Sequence, residues 1–403
     1  MGHNQFFSKT FCRKSAAFSS DNRTDDEKLK ESIRRAAESA KGRATRNPPR
    51  TVSQHPTSFF TTSDYNPGFR ENIEKQNMIK SDKEFRFAIV GSGPAGFYMA
   101  KNLIKSVEKC RVDLIDRNPH PFGLIRTGVA PDHQAMKKIE NDFSQVLKDE
   151  RCQFLGNVFV HGDQGLYGEA QELVLERGHW TVSLEELREK YSAVILAYGA
   201  ASDRELGLEG EKTLQGVLPS RRIVEYYNGS LDMDVTSEEF DPEIHRHIGI
   251  IGNGNIACDI ARMFLKDPSE FHDSDTPEYV MEKLRRSKVN TVQMIGRRGI
   301  TQAAFSTKEI RELASLSNLK TYMVYSEVED SMTDASHTEL LDRAIGRRTK
   351  FLRESFEMIE SAEHYEDVMS RESEKKLILR FLRSPTSLIP ATNGSNRIGG
   401  VGL

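Results

Sequence analysis

A chain of 403 residues has room for two α/β domains and an extension. Its formal net charge of −3 excludes wholesale attraction to nucleic acid or an anionic membrane, so any basic patch has to be local. The four cysteines, Cys12, Cys110, Cys152 and Cys258, include no C-x-x-C pair, which disfavours a disulfide framework, a zinc site and a cysteine-held iron–sulfur cluster.

The first twenty residues contain Lys9, Arg13 and Lys14, several Phe and Ser, and neither Asp nor Glu, the composition of a mitochondrial transit peptide. From Thr24 to Arg46 the chain is charged and alanine-rich, which reads as a solvated helix or a mobile linker. Pro48, Pro49, Pro56 and Pro67 punctuate the approach to the first strand. Residues 1–84 are therefore expected to be a transit peptide and a disordered or helical extension.

Regular structure is expected from Phe85. Phe85–Val90 is a β-rich run, Pro94 to about Val107 has a helical pattern, and Arg111–Asp116 is a second strand, which together make a β-α-β unit. The same apolar region, Phe87 to Ile104, is broken by Gly91, Gly93, Pro94 and Gly96 and does not read as a membrane span. Ala193–Ala197 is a further buried strand. A second β-α-β unit begins at His247–Ile251 and closes with Val289–Ile295, with a charged insertion, Asp267 to Lys288, before its last strand. Residues 327–376 are mostly charged and helix-prone, and Leu377–Phe381 is a late strand.

Two glycine motifs carry the chemistry. Gly91-Ser92-Gly93-Pro94-Ala95-Gly96 fits G-x-G-x-x-G between a strand and a helix: Gly91 for the turn, Gly93 for close approach of a pyrophosphate, Gly96 for helix–strand packing. Asp116 ends the next strand, where a carboxylate accepts hydrogen bonds from a ribose. In the second unit Gly252-Asn253-Gly254-Asn255-Ile256-Ala257 repeats the logic with alanine in the third place. Its second strand ends in Gly296-Arg297-Arg298, not in an acid, and two guanidiniums suit the ribose 2′-phosphate of NADPH. Asp259 reads as a helix-dipole acid.

With the strings Pro121-Phe122-Gly123-Leu124-Ile125-Arg126-Thr127-Gly128-Val129-Ala130-Pro131-Asp132-His133, Tyr227-Asn228-Gly229 and Gln302-Ala303-Ala304-Phe305-Ser306-Thr307-Lys308-Glu309, these motifs resemble the adrenodoxin reductase family, ferredoxin–NADP reductases of the glutathione-reductase-like flavoproteins. The resemblance runs from about Phe85 to about Pro385. It implies an α/β fold of two Rossmann-like dinucleotide-binding domains, an FAD domain (85–195) with an NADPH domain (196–376) inserted into it, and a returning FAD segment from 377. It implies electron transfer from NADPH through FAD to a small [2Fe–2S] ferredoxin of the adrenodoxin kind. Gly91, Gly93, Pro94, Ala95, Gly96, Asp116 and Leu124 would hold FAD. Gly252, Asn253, Gly254, Asn255, Ile256, Arg297, Arg298 and Glu309 would hold NADPH. His133 would lie close to the flavin as the catalytic histidine, the alternative being a satisfied buried histidine. Arg343, Arg347 and Arg348 fall where the family keeps basic residues for its acidic ferredoxin, the alternative being a solvated helix face. The matrix, or the matrix face of the inner mitochondrial membrane, is the implied location.

Family members carry a third FAD segment with a Gly-Trp pair, whereas this sequence ends at Leu403 and its single tryptophan is Trp180. The FAD domain is therefore expected to be incomplete at its C-terminus. The alternative function is a catalytically impaired member that serves as a nucleotide-binding or structural subunit of a larger mitochondrial complex. A thioredoxin-reductase-like enzyme would need a C-x-x-C pair, a glutamate-synthase-like subunit cysteine-rich cluster segments, and an NAD dehydrogenase an acid in place of Arg297 and Arg298.

Overall fold

The computed structural model describes residues 84–403, apart from 163–164, 166–170, 172–173, 175–177, 201–202, 231–234, 236–238 and 393. The expected transit peptide and its extension, up to residue 83, lie outside the described residues.

The first unit runs β1 (Phe85–Val90), α1 (Pro94–Ser106), β2 (Cys110–Ile115), α2 (Leu124–Thr127), α3 (Gln134–Lys137), α4 (Ile139–Leu147), β3 (Cys152–Leu155), β4 (Val158–His161), β5 (Trp180–Ser183), α5 (Leu184–Lys190) and β6 (Ala193–Leu196). Four of these strands form a parallel sheet in the order β3-β2-β1-β6, and β4 pairs with β5 beside it. Alternation along β1 explains why it is central. Phe87 and Ile89 enter one core with Phe97, Leu103 and Phe143, while Ala88 and Val90 enter another with Ile115, Leu155 and Leu187. The rings of Phe97 and Phe143 stack at 4.8 Å, which fixes α1 against α4.

The second unit runs α6 (Ser220–Asn228), β7 (His247–Ile251), α7 (Asn255–Leu265), α8 (Glu278–Arg285), β8 (Thr291–Ile295), α9 (Thr307–Ala314), β9 (Leu319–Val324), α10 (Tyr325–Asp330), α11 (Asp334–Glu339), α12 (Arg343–Ser355), β10 (Glu357–Ile359), α13 (Ala362–Ser370) and β11 (Lys375–Arg380). Its parallel sheet has the order β10-β9-β11-β8-β7. Here the domain boundary expected at residue 377 needs correction. β11 does not begin a returning segment of the first domain: it is the middle strand of the second sheet, with Leu377, Ile378 and Leu379 fully buried between β8 and β9. After it come β12 (Ser387–Pro390) and β13 (Ile398–Gly402), an antiparallel pair fastened to the chain at Gln215.

A strap from the first unit holds the second. Ala130 belongs to the second unit's core. Asp132 accepts from Arg262 of α7 at Nε (2.8 Å) and Nη2 (3.0 Å), and Lys137 pairs with Asp275 at 2.8 Å.

Candidate functional site

At the first glycine motif the three glycines have three different reasons. Gly91 has φ of 109°, and a Cβ there would run into the Ala197 carbonyl. A Cβ on Gly96 would collide with the Gly91 carbonyl, whereas one on Gly93 would meet nothing within 4 Å. Gly93 is also the N-cap of α1, has no side-chain cap, and is followed by Pro94 at the first turn. The helix therefore presents uncapped N–H groups to open space, the arrangement that binds a pyrophosphate.

That space is a cavity of about 410 Å³ lined by Gly91, Gly93, Pro94, Ala95, Asp116 and Leu124, among others. Asp116 does more than face it. Its Oδ2 accepts from the backbone N and the Oγ of Ser92, both at 2.7 Å, and its Oδ1 accepts from Asn118 N at 2.9 Å. The carboxylate thus fastens the glycine loop, and Oδ1 keeps acceptor capacity for a ribose hydroxyl. Gly96 serves packing behind the loop. Phe122, part of the Pro121–His133 string but not singled out there for binding, and Tyr198 also shape the site. Phe122 holds a left-handed φ of 87°, its N–H donates to Ser92 O at 2.9 Å, and it throws Leu124 into the cavity as an exposed side chain. Tyr198 is an exposed aromatic on the rim.

At the second motif Gly252 has φ of 132°, and neither it nor Gly254, the N-cap of α7, has anything within 4 Å of a notional Cβ. Asn253 Nδ2 donates to Arg380 O at 3.1 Å, while its Oδ1 is buried with no hydrogen-bond partner. Asn255 Oδ1 accepts from Ser306 N at 2.7 Å, so its side chain braces the 303–306 loop before it does anything else. Ile256 is exposed on the first turn of α7. Arg297 and Arg298 follow β8 as exposed side chains, with no ion pair among the described residues. An open glycine turn, an orphaned acceptor, an uncapped helix start and two bare guanidiniums fit a phosphorylated dinucleotide.

His133 and Glu309 lie beside each other where the two units meet, and the loop before Glu309 is bonded to the second motif through Asn253 O and Asn255 Oδ1. His133 does not line the first cavity; it is buried between the units, with Nε2 3.0 Å from Glu312 Oε1 and Nδ1 3.8 Å from Asp259 Oδ1. Glu309 is buried on α9 beside it, its Oε2 3.8 Å from Arg262 Nη1 and 3.9 Å from His133 Nε2, and without a hydrogen bond. Arg262 is fully buried and also bonds Asp259 at 2.8 Å, so Asp259 is an ion-pair partner and not merely a helix-dipole acid. Burial alone raises the Asp132 carboxyl, but the hydrogen bonds and charge of Arg262, with Lys266, hold it down at about 2.

The arginines of α12 divide. Arg343 and Arg347 are exposed, whereas Arg348 is half-buried and donates to Phe305 O (3.3 Å) and Thr301 O (2.7 Å). Burial lowers the pKa of Arg348. Its fork is committed to the backbone, so the expected docking role is corrected for that residue. Cys110, Cys152 and Cys258 are free and buried, and burial pushes the Cys152 thiol up to about 12, so the described cysteines supply no ready thiolate.

Two parallel sheets, each with a glycine elbow at the carboxyl end of its first strand and a helix starting there, define a tandem dinucleotide-binding oxidoreductase fold. Residues 85–313 match the family described as pyridine nucleotide-disulphide oxidoreductase, and the chain belongs to that family. It is similar to the mitochondrial NADPH:adrenodoxin oxidoreductase of Arabidopsis thaliana, 36% identical over 335 residues that cover 83% of this chain and 63% of that protein. The human protein of the same name is 35% identical over 319 residues, covering 79% of this chain and 59% of its own length. The chain thus spans about three fifths of the length of these curated relatives. Among solved structures, FprA of Mycobacterium tuberculosis in complex with NADPH superposes with a TM-score of 0.62 at 30% identity, covering 79% of this chain and 67% of that one.

Proposed function

We propose that this chain binds FAD in the first crevice and NADPH in the second, and that it passes electrons from NADPH to a small [2Fe–2S] ferredoxin of the adrenodoxin kind in mitochondria. The observation that carries the reading is the pair of exposed guanidiniums, Arg297 and Arg298, following the second strand of a Rossmann unit whose elbow is open. The first cavity fits FAD by its uncapped helix start, by the open space over Gly93, and by the acceptor left on Asp116 Oδ1. When bound, the flavin supplies the exchange between two-electron and one-electron chemistry. The protein's own part is to hold and orient: the α1 N–H groups take the diphosphate, Leu124 and Tyr198 shape the apolar wall, and the two arginines select the 2′-phosphate. His133 meets Glu312 at 3.0 Å and Glu309 at 3.9 Å between the units, and it is the histidine of the proposed reaction. Exposed Arg343 and Arg347 steer an acidic ferredoxin.

The names of the relatives, the mitochondrial ones included, agree with this reading. The test is an absorbance spectrum of the purified chain under anaerobic titration. Flavin absorbance should bleach with NADPH at far lower concentration than with NADH, and R297A/R298A should erase that preference by weakening NADPH about tenfold to a hundredfold. A colourless protein, or equal response to both nucleotides, would sink the proposal.

A further inference from the structure

Two more arginines, Arg380 and Arg383, gather at the carboxyl end of the second sheet, and the proposed function gives them no role. β9, β11 and β8 are adjacent and parallel, so the segments after them open on one rim, the end at which such sheets bind ligands. Glu327 follows β9, Arg380 and Arg383 end and follow β11, and Arg297 and Arg298 follow β8. The segments are stitched together. Gly296 N (3.0 Å) and Asn253 Nδ2 (3.1 Å) both donate to Arg380 O, Leu382 N donates to Arg298 O at 3.2 Å, and Arg383 N donates to Gly296 O at 3.0 Å. Arg383 is thus anchored on the very loop that carries Arg297 and Arg298. Leu382, a non-glycine residue at a left-handed φ of 54°, makes the bend that puts it there.

Among the described residues these four arginines share a single carboxylate, Glu327, whose side chain is 2% exposed. Arg380 is spent on it, through Nε (3.0 Å) and Nη2 (2.7 Å), and lies over the Tyr365 ring. Arg383 is not. Only its Nε bonds Glu327, at 2.6 Å, its side chain is 41% exposed, and its two terminal nitrogens have no partner among the described residues. A guanidinium held by Nε with its fork free is oriented for a phosphate.

We infer that Arg383 is a third arginine of the 2′-phosphate site, held in place by Glu327 and reading the same phosphate as Arg297 and Arg298. The inference rests on the NADPH reading of the second crevice. Calorimetric titration of the whole chain at low salt, with 2′,5′-ADP and with 5′-AMP, tests both separately. The unaltered protein should prefer 2′,5′-ADP; if it does not distinguish the two, the NADPH reading fails and this inference with it. Arg383→Gln should weaken 2′,5′-ADP about tenfold and leave 5′-AMP unchanged. Arg383→Lys, which keeps a cation beside Glu327 but not the fork, should weaken 2′,5′-ADP by a smaller factor and carries the test if the glutamine variant does not fold. If R297A/R298A loses the preference for 2′,5′-ADP while both Arg383 variants keep the parent affinity, the NADPH reading stands and Arg383 is only the partner of Glu327.

Discussion

Asp132→Asn removes one charge from the strap between the two units and leaves its shape. The Asp132 side chain is 4% exposed, accepts a two-point bond from fully buried Arg262, and has Lys266 at 3.2 Å. A pKa held at about 2, against an ordinary 3.8, corresponds to about 2.5 kcal/mol of stability at neutral pH. Removing one partner of a buried pair costs about 3–5 kcal/mol, and the low end applies because Arg262 keeps Asp259. Both routes put the loss at roughly 2.5–3 kcal/mol. The sign with pH is fixed: the folded-state pKa is depressed, so the contribution is complete above the unfolded pKa and disappears as pH falls toward about 2. Urea unfolding of both proteins should show the full gap at neutral pH and about half of it by pH 3. Acid effects common to both proteins cancel in the difference. A gap that is absent at neutral pH, or that does not narrow in acid, refutes the assignment of Asp132 as the strap's anchor.

Gly91→Ala should destabilise the first unit by more than about 1 kcal/mol in urea unfolding, since φ and the Ala197 carbonyl both oppose a Cβ. Gly93→Val should instead leave the unfolding midpoint of the flavin-free protein close to that of the flavin-free parent and lower the flavin content of the protein as purified, because its Cβ enters open space. Arg347→Glu should slow ferredoxin reduction in a stopped-flow assay, an effect that added salt abolishes, while sparing a small artificial acceptor. Arg348→Glu should chiefly lower the melting temperature, because it orphans the Thr301 and Phe305 carbonyls. Lys376→Met should cost about 2 kcal/mol in the same unfolding assay, since the fully buried ammonium donates to the Val368 and Arg371 carbonyls at the end of α13.

What could be read from the sequence was what local geometry dictates. A glycine elbow between a strand and a helix declares itself, because the need for positive φ and for a missing Cβ is a property of a few consecutive residues. The buried runs of β1 and β2 are equally plain, whereas β7 is legible as a strand but has only Ile250 buried. β11 shows the limit: Leu377-Ile378-Leu379 says that a strand is buried on both faces but not which sheet buries it, and that is settled by β8 and β9, far away in sequence. The position of His133 was illegible for the same reason, since its nearest partner, Glu312, is 179 residues on. Arg347 and Arg348 are neighbours on one helix turned about 100° apart, so one stays in solvent and the other is folded under, a difference no charge pattern contains. Short strands with exposed residues, such as β3 with Gln153 and β9 with Lys320, gave no periodic signal.

Among the described residues the two units share no sheet, so something other than strand pairing sets the angle between the crevices. The strap does this, and its place in the chain matters. Leu124 lines the first cavity, and eight residues later Asp132 is gripped by Arg262 of the helix that starts at the second elbow. Between them Ala130 is packed in the second unit's core, and just beyond them His133 meets Glu312. A buried two-point ion pair has directional geometry that an apolar contact lacks, and with the Lys137–Asp275 pair it fixes rotation as well as distance. A wall residue of one crevice is therefore eight residues from the carboxylate that grips the helix starting at the other. Under the proposed function, two cofactors that must meet at a set separation need such a frame more than they need further contacts of their own.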